Sequence, residues 1–215
     1  MDKANQILCR NLKVKDLDQV AETHKKAFVD TLLCAYGEKA IIKYYQWQMK
    51  PPNKCYAIGV FENDTLLGFT FSGVLSNAEL FFIKKYLPYF IWHTISHPKL
   101  IFDKRVFNQI RKSMRYIKEY KTEKRQIKVD EEKMKEKSFG ILSTAVAPDH
   151  QGHGIGKLLT EAVEKYARQN NYPTISMSVE KENTASIKLH EKLGYKKVVS
   201  DRGEWQGKMI KDLRN

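Results

Sequence analysis

The segment Gln151-Gly152-His153-Gly154-Ile155-Gly156-Lys157 places three alternate glycines between a stretch typical of a strand and a stretch typical of a helix. Upstream, residues 141–147 are apolar and end at Pro148. Downstream, apolar residues recur at helical spacing, at Leu158, Leu159, Ala162, Val163 and Tyr166. Glycine tolerates positive φ and close approach of a ligand, and a helix that begins here adds the positive end of its macrodipole. The segment therefore predicts a loop that binds a phosphate or pyrophosphate.

The spacing of the glycines separates this loop from two common phosphate-binding motifs. A dinucleotide-binding fold has Gly-x-Gly-x-x-Gly near its start, and a Walker loop ends in Gly-Lys-Ser/Thr. Neither pattern is present in residues 151–157. The loop resembles the acetyl-CoA loop of the GNAT (general N-acetyltransferase) superfamily, Gln/Arg-x-x-Gly-x-Gly/Ala, which Gln151, Gly154 and Gly156 fill.

A second segment, residues 183–195, carries the same resemblance. It is similar to the family's "Asn-x-x-Ala, then Tyr-Glu-Lys-x-Gly-Phe" helix and strand through Asn183, Ala185, Ser186, Leu189, Glu191, Lys192, Leu193, Gly194 and Tyr195. Two motifs in the expected order imply an α/β (α+β) fold of GNAT type. This fold has a mixed, mostly antiparallel central sheet, helices on both faces, and here a helical insertion between strands 3 and 4.

The resemblance implies that acetyl-CoA is the acyl donor and that no metal takes part. The pantetheine would lie along the strand 143–147, where a bulge would leave backbone N–H groups free. The pyrophosphate would bind the glycine loop, and Asn183 would hydrogen-bond the pantetheine arm. The implied cofactor-binding residues are Thr144, Ala145, Val146, Gln151, Gly152, His153, Gly154, Ile155, Gly156, Lys157, Asn183 and Ser186.

The candidate catalytic residues are His190 and Glu180. His190 occupies the place of the family's tyrosine, which protonates the leaving thiolate, and a histidine is a different acid from a phenol. Packing beside the cofactor is the alternative role for His190. Gly140 stands where some members carry a catalytic glutamate, so Glu180 is the candidate base, with Ser178, His93 and His97 as alternatives. A water relay would make a dedicated base unnecessary.

The composition fits one enzyme domain. The chain has 215 residues, of which 42% are hydrophobic and 29% charged, which is ordinary for a globular protein, and we expect a single domain over 1–215. No secretory leader or uncharged run long enough to span a membrane is evident, which predicts a cytoplasmic protein. The three cysteines Cys9, Cys34 and Cys55 lack metal-type spacing and are expected to be reduced thiols.

Hydrophobic periodicity predicts the elements along the chain. Strands are expected over 7–12, 55–61, 65–75, 138–147, 174–179, 195–199 and 205–210, and helices over 16–28, 38–49, 155–169 and 184–193. Asp16 is expected to cap the first helix. Glu62, Asn63 and Asp64 are expected to turn a hairpin.

The insertion, residues 77–137, holds 16 Lys and Arg against 8 Asp and Glu, a net +8 of the chain's +13. After an aromatic stretch over 80–95 and a turn at His97 and Pro98, a helix is expected with Phe102, Val106, Ile110, Met114 and Ile117 on one face. Its other face is basic, with Lys104, Arg105, Asn108, Arg111, Lys112, Arg115 and Lys118. Three interpretations stay open: a lid packed on the sheet, a pocket for an anionic acceptor, or a helix over 80–118 lying on an anionic membrane. Nucleic-acid binding is not expected, since no reading helix or stacking motif is evident.

The sequence predicts an N-acetyltransferase that acts on a primary amine. The order of Ala27, Phe28, Leu32, Leu33, Gly37, Tyr44 and Tyr45 before the hairpin and the insertion resembles GNAT members of bacterial surface-sugar assembly. That resemblance implies an amino sugar on a nucleotide or lipid carrier as the acceptor, and a role in polysaccharide biosynthesis. Acetylation of proteins or small amines is the alternative, as is a non-catalytic module that binds CoA and a membrane at its inner face.

Overall fold

A computed structural model describes residues 7–51, 53, 55–74, 78–108, 111, 138–200 and 203–214. The strands are β1 Ile7–Asn11, β2 Tyr56–Glu62, β3 Thr65–Gly73, β4 Ser138–Val146, β5 Thr174–Ser178, β6 Lys196–Val199 and β7 Trp205–Asp212. The helices are α1 Leu17–Ala27, α2 Leu32–Ala35, α3 Glu38–Met49, α4 Ala78–Lys85, α5 Leu87–Ser96, α6 Ile155–Gln169 and α7 Thr184–Lys192. Three 3₁₀ turns cover Val14–Asp16, Pro98–Phe102 and Pro148–His150.

The seven strands form one sheet in the order β1-β2-β3-β4-β5-β7-β6. Every neighbouring pair is antiparallel except β4 and β5, which are parallel. The last two strands exchange places, because β7 pairs with β5 and leaves β6 at the edge. This arrangement brings the start of β7 beside the carboxyl end of β5.

One face of the sheet is covered by α1, α2 and α3. Their apolar side chains join Phe69 and Phe71 of β3 in a core that also takes Phe82, Phe90 and Val106 from the insertion. Tyr45 is fully buried at its centre, with its ring 4.4 Å from Phe71. The insertion therefore adds to the core on this side of the sheet.

The other face is covered by α6. Ile155, Leu159, Val163 and Ala167 recur every four residues and are at most 3% exposed, so they form the buried stripe of the helix. Tyr166 stacks on Tyr56 of β2 with 3.9 Å between ring centres. The helix was predicted over 155–169, and the structure confirms both ends.

The hairpin between β2 and β3 forms as expected. Glu62 pairs with Thr65, and the two turn residues Asn63 and Asp64 both have positive φ, at 48° and 68°. Such a two-residue turn matches the right-handed twist of the strands that it joins. Gln19 of α1 fixes the turn, since its side chain bonds Asp64 O at 3.1 Å and Leu66 N at 2.7 Å.

The N-terminal part differs from the predictions at two points. Asp16 occupies the N-cap position of α1, but its side chain makes no capping hydrogen bond to the helix. Its carboxylate accepts from Lys13 N at 2.7 Å and pairs with the Arg10 guanidinium at 2.8 Å. A 3₁₀ turn over Val14–Asp16 places the carboxylate against this turn and β1. The short helix Leu32–Ala35 was not predicted, because four residues are too few to show a period; Thr31 caps it by accepting from Cys34 N.

The insertion differs from its prediction in one described detail. Phe102, expected on the apolar face of a helix, lies instead in the 3₁₀ turn that precedes the helical residues 104–108 and is 87% exposed. Val106, expected on the same face, is helical and buried. The predicted face residues Ile110, Met114 and Ile117 lie outside the described residues.

Candidate functional site

The sheet opens between β4 and β5. The two strands pair only from Ser138 with Thr174 to Ile141 with Met177. Beyond Ile141, β4 continues to Val146 along β3 alone. The second half of β4 therefore presents a free backbone edge toward the carboxyl end of β5.

The backbone of Val146 faces this opening. Ala147 N–H donates to Leu67 O on β3 at 2.8 Å, and strand alternation then directs the N–H and C=O of Val146 away from β3. The Thr144 hydroxyl is 2.8 Å from the Thr70 hydroxyl on β3, and Ala145 is buried. A bulge does occur on β4, but at Leu142 and not beside Val146, since Phe71 pairs with Ser143 and Ser72 with Ile141. The divergence of β5, and not the bulge, exposes the Val146 edge.

The glycine loop continues from this edge into α6. Gly152 and Gly154 have φ of 82° and 81°, the left-handed region that glycine adopts without strain, and a Cβ at either would meet open space. Gly154 is the N-cap of α6. The Gln151 amide donates to Val146 O at 3.3 Å, which holds the loop beside β4. Backbone N–H groups at the start of a 15-residue helix thus face solvent next to a free strand edge.

The first turn of α6 fixes this loop on the protein. Ile155 is 3% exposed, and a Cβ on Gly156 would lie 3.2 Å from Leu189 of α7, so the glycine lets the two helices approach. His153 is exposed. Lys157 is exposed and forms a loose pair with Glu161 at 3.7 Å.

The start of α7 lies at the far side of the opening. Asn183 caps the helix, and its Oδ1 accepts from Ser186 N at 3.0 Å. The capping hydrogen bond uses only the side-chain oxygen of Asn183. Because Asn183 is exposed, its side-chain NH₂ group can donate to another partner. This residue therefore combines a structural bond with a free donor.

His190 lies inward from that cap. It is 4% exposed, and burial lowers the pKa of its imidazole, while the hydrogen bond to Ser186 O and the charge of Glu164 oppose that shift. Nδ1 lies 2.8 Å from Ser186 O, and because a carbonyl only accepts, Nδ1 carries the proton. Nε2 lies 3.4 Å from the Thr160 hydroxyl of α6. Nδ1 is thus hydrogen-bonded within α7, and Nε2 faces Thr160 of α6, whose hydroxyl donates to Gly156 O at 2.9 Å.

Glu180 lines an open cavity of about 450 Å³ at the carboxyl end of β5. The lining residues are Ser178, Val179, Glu180, Lys181, Glu182, Gln206 and Gly207. Glu180 is exposed, and its backbone carbonyl accepts from Asn183 N at 3.0 Å, so the cavity adjoins the cap of α7. The structure brings Glu180, Asn183 and the cavity together and leaves His190 behind them in the core.

Over residues 17–195 the chain matches the sequence profile of the acetyltransferase (GNAT) family. The chain belongs to this family. Curated relatives match over short segments: mycothiol acetyltransferase of Saccharomonospora viridis is 39% identical over 67 residues, 31% of this chain and 22% of that protein. Mycothiol acetyltransferase of Tsukamurella paurometabola is 38% identical over 55 residues, 26% of this chain and 19% of that protein. The matched part of the chain thus spans about a fifth of the length of these relatives.

Solved GNAT structures cover nearly the whole chain. An N-acetyltransferase from Staphylococcus aureus Mu50 superposes with a TM-score of 0.58 at 16% identity, covering 97% of this chain and 99% of that one. The PaiA N-acetyltransferase of Thermoplasma acidophilum, solved in complex with coenzyme A, gives 0.52 at 15% identity, covering 96% and 99%. These similarities confirm the predicted GNAT fold.

The other residues considered for the catalytic base lie in different surroundings from Glu180. A Cβ on Gly140 would lie 3.2 Å from Gly73 O, so a larger residue there would press on β3. His93 and His97 stack on each other at 4.3 Å in the insertion, while Ser178 lines the cavity with Glu180.

Burial raises the pKa of the Cys55 thiol to about 11, which keeps it protonated near neutral pH. Among the described residues, no group of His, Cys, Asp and Glu is placed to hold a metal ion.

Two parts of the site were missed from the sequence. Gln206 and Gly207 reach the cavity only because β7 pairs with β5, and no local pattern announces that pairing. Thr160, which contacts His190, lies one turn after Gly156 on the face of α6 toward α7, and this i+4 spacing could have identified it.

Proposed function

We propose that this GNAT protein is an acetyl-CoA-dependent N-acetyltransferase that acts on a primary amine. The observation that carries the proposal is the continuous polar path from the free edge of Val146 through the Gly152–Gly154 loop into α6. A pantetheine amide can extend the sheet at the free edge, and a pyrophosphate can accept bonds from the N–H groups of the loop. We propose further that residues 1–215 form one domain with the insertion 77–137.

In this proposal the cofactor-binding residues are those of β4, the loop and the α7 cap. Thr144, Ala145 and Val146 supply the strand edge, and residues 151–157 hold the pyrophosphate. Asn183 donates its free amide hydrogens to the pantetheine arm, and Ser186 completes its cap. When bound, acetyl-CoA supplies the activated acyl group.

For the proton transfers we retain Glu180 as the base and His190 as the acid. Glu180 is exposed in a cavity that can admit an amine, and a carboxylate there can accept a proton from an ammonium acceptor. His190 is neutral with its proton on Nδ1, so the acid role requires a second proton on Nε2, next to Thr160. Packing of α7 on α6 is the competing role for this histidine.

The acceptor is proposed to be an amino sugar on an anionic carrier. The carboxylate of Glu180 in the cavity suits an amine, and the chain's net charge of +13 suits a phosphorylated carrier. Continuous assays of CoA release with nucleotide-linked amino sugars, polyamines and peptide N-termini test this proposal. If only the peptides are acetylated, the acceptor is a peptide and not an amino sugar. If the protein binds CoA tightly but acetylates none of these amines, it is a CoA-binding module without catalytic activity.

The cofactor site is tested by two glycine-to-alanine variants that should have the same free-energy cost of placing alanine at positive φ. Gly154 and Gly203 have φ of 81° and 76°, and a Cβ at either meets nothing within 4 Å. Each change to Ala should therefore lower the free energy of unfolding by about 1 kcal/mol. Only Gly154→Ala should also weaken coenzyme A binding, by roughly tenfold or about 1.4 kcal/mol, in calorimetric titrations. If the two variants bind coenzyme A with equal affinity, the glycine loop does not take part in binding it.

The catalytic residues are tested separately from binding. His190→Phe should lower kcat about a hundredfold while the coenzyme A affinity is kept, because a general acid acts only in the chemical step. Glu180→Gln should lower kcat similarly, whereas Glu182→Gln, an exposed neighbour in the same cavity, serves as its control. If His190→Phe lowers only the melting temperature, the residue serves the packing of the two helices.

A further inference from the structure

The helix α5 of the insertion carries its apolar residues on the outside. Leu87, Ile91 and Ile95 form an i, i+4, i+8 stripe and are 48%, 52% and 66% exposed, and Trp92 beside them is 71% exposed. In the 3₁₀ turn that contacts α5, Phe102 is 87% exposed. We call these five residues the apolar face. Large apolar side chains exposed together along one helix mark an interaction surface.

The opposite side of α5 is aromatic and polar. Phe90 is buried, with its ring 4.8 Å from Tyr36, and the Thr94 hydroxyl lies 2.7 Å from the Tyr36 hydroxyl. The His93 ring also faces Tyr36, at 5.6 Å. The polar groups of the helix are thus used in its attachment to the protein, and this attachment presents the apolar face to the surroundings.

The charged residues on the segment that carries the apolar face are mostly positive. Lys84, Lys85, Lys99 and Lys104 are exposed on the elements that flank it. Asp103, the one acidic residue among residues 82–108, pairs with Arg105 at 2.6 Å. The face therefore has a cationic rim, which is the pattern of a segment that lies in the interface of an anionic membrane. A second copy of this chain would bring the same positive charges against themselves.

We propose that the apolar face of α5 and its lysine rim bind an anionic lipid membrane peripherally. The helix has 10 residues and is about 15 Å long. No helix within the described ranges is long and apolar enough to cross a membrane. The axis of α5 would lie parallel to the membrane surface, with Trp92 and Phe102 at the level of the headgroups. This proposal is independent of the acetyl-transfer proposal, because it involves neither β4 nor the glycine loop.

Sedimentation of the full chain with lipid vesicles tests the proposal without any acetyl-CoA. Binding to vesicles of phosphatidylcholine with phosphatidylglycerol should be at least about tenfold tighter than binding to phosphatidylcholine alone, and salt should weaken it. The fluorescence of Trp92 should shift to the blue on binding, whereas Trp47 is already buried. Equal binding to both kinds of vesicle, or none, overturns the proposal.

Matched variants distinguish vesicle binding by the apolar face from nonspecific hydrophobic binding and from an effect of net charge. Trp92→Ser with Phe102→Ser should weaken vesicle binding about tenfold or more, while Leu8→Ser, at a residue 50% exposed on β1, should not. Changing Lys84, Lys85, Lys99 and Lys104 to Gln should abolish the preference for anionic vesicles. The same change at the exposed Lys15, Lys39, Lys165 and Lys188 should keep it. If the double Ser variant keeps full vesicle affinity but loses self-association in light scattering, the face is a contact between copies and the proposal fails.

Discussion

His24 is a residue whose environment makes the stability of the protein depend on pH. It is 4% exposed between α1 and α3, with Nδ1 2.8 Å from the Tyr45 hydroxyl and Nε2 3.3 Å from the Thr31 hydroxyl. Burial lowers the pKa of its imidazole to about 4. The unfolded chain, with an ordinary histidine pKa, binds the proton first as the pH falls, so acid favours unfolding.

We therefore expect His24 to contribute stability that is complete above about pH 6.5 and is lost between there and pH 4. Between pH 7 and pH 5 the loss should be about 2 kcal/mol. Urea unfolding at both values of pH should show a smaller difference for His24→Gln than for the wild type. The exposed His153 provides the control, since His153→Gln should leave the wild-type pH dependence in place.

At the same scale, residue type alone did not reveal the environment of two polar residues. Asp16 was expected to cap a helix with its side chain because of its position. Its carboxylate instead pairs with Arg10 and accepts a hydrogen bond from Lys13 N. His190 was identified by its place in a motif, but the motif contains no information on burial. Its burial results from the contact of α6 and α7, which Gly156 and Thr160 make close.

At the scale of elements, a largely buried ion pair joins α6 to β7. Lys211 Nζ lies 2.6 Å from Glu164 Oε2, and the two side chains are 19% and 11% exposed. The second oxygen of Glu164 and the Tyr195 hydroxyl are also buried. Burial and the Glu164 charge both raise the pKa of Tyr195. This contact holds the helix of the glycine loop on the strand that completes the cavity.

Removal of one member of this pair should destabilise the protein strongly. Lys211→Met leaves the Glu164 carboxylate buried without its counter-charge and should cost about 3 kcal/mol in urea unfolding. The double variant Glu164→Leu with Lys211→Met should recover part of that loss, because no charge is then buried. Lys26→Met breaks the exposed pair of Lys26 with Glu22 and should produce no measurable change. An equal loss in the single and double Lys211 variants would contradict this account.

The elements themselves were largely predictable where the pattern was long and local. Helix 155–169 and helix 38–49 have the predicted bounds, because their apolar stripes and terminal glycine or prolines are strong signals. Most strands differ by one or two residues at an end, as with β7, which runs to Asp212 instead of 210. A strand ends where its partner ends, and the sequence of one strand does not contain that information.

At the scale of the whole molecule, the sheet has two cores that share its central strands. α1, α2, α3 and the insertion cover one face, and α6 covers the other. The opening between β4 and β5 lies where the pairing of the central strands stops, so the proposed cofactor path is bordered by both halves. Mutations in either core can therefore alter the site without contacting it.

By itself the sequence determined the glycine loop, the helix that follows it, the order of the strands and of four helices along the chain, and the membership in the GNAT family. These features depend on residue type and local spacing, because positive φ and helical periodicity are properties of short segments. Only the tertiary structure decided that β7 completes the cavity, that His190 is buried, and that α5 presents its apolar face outward. Those three features arise from contacts between segments far apart in the chain, where the gain from burying one surface decides which other surface stays exposed.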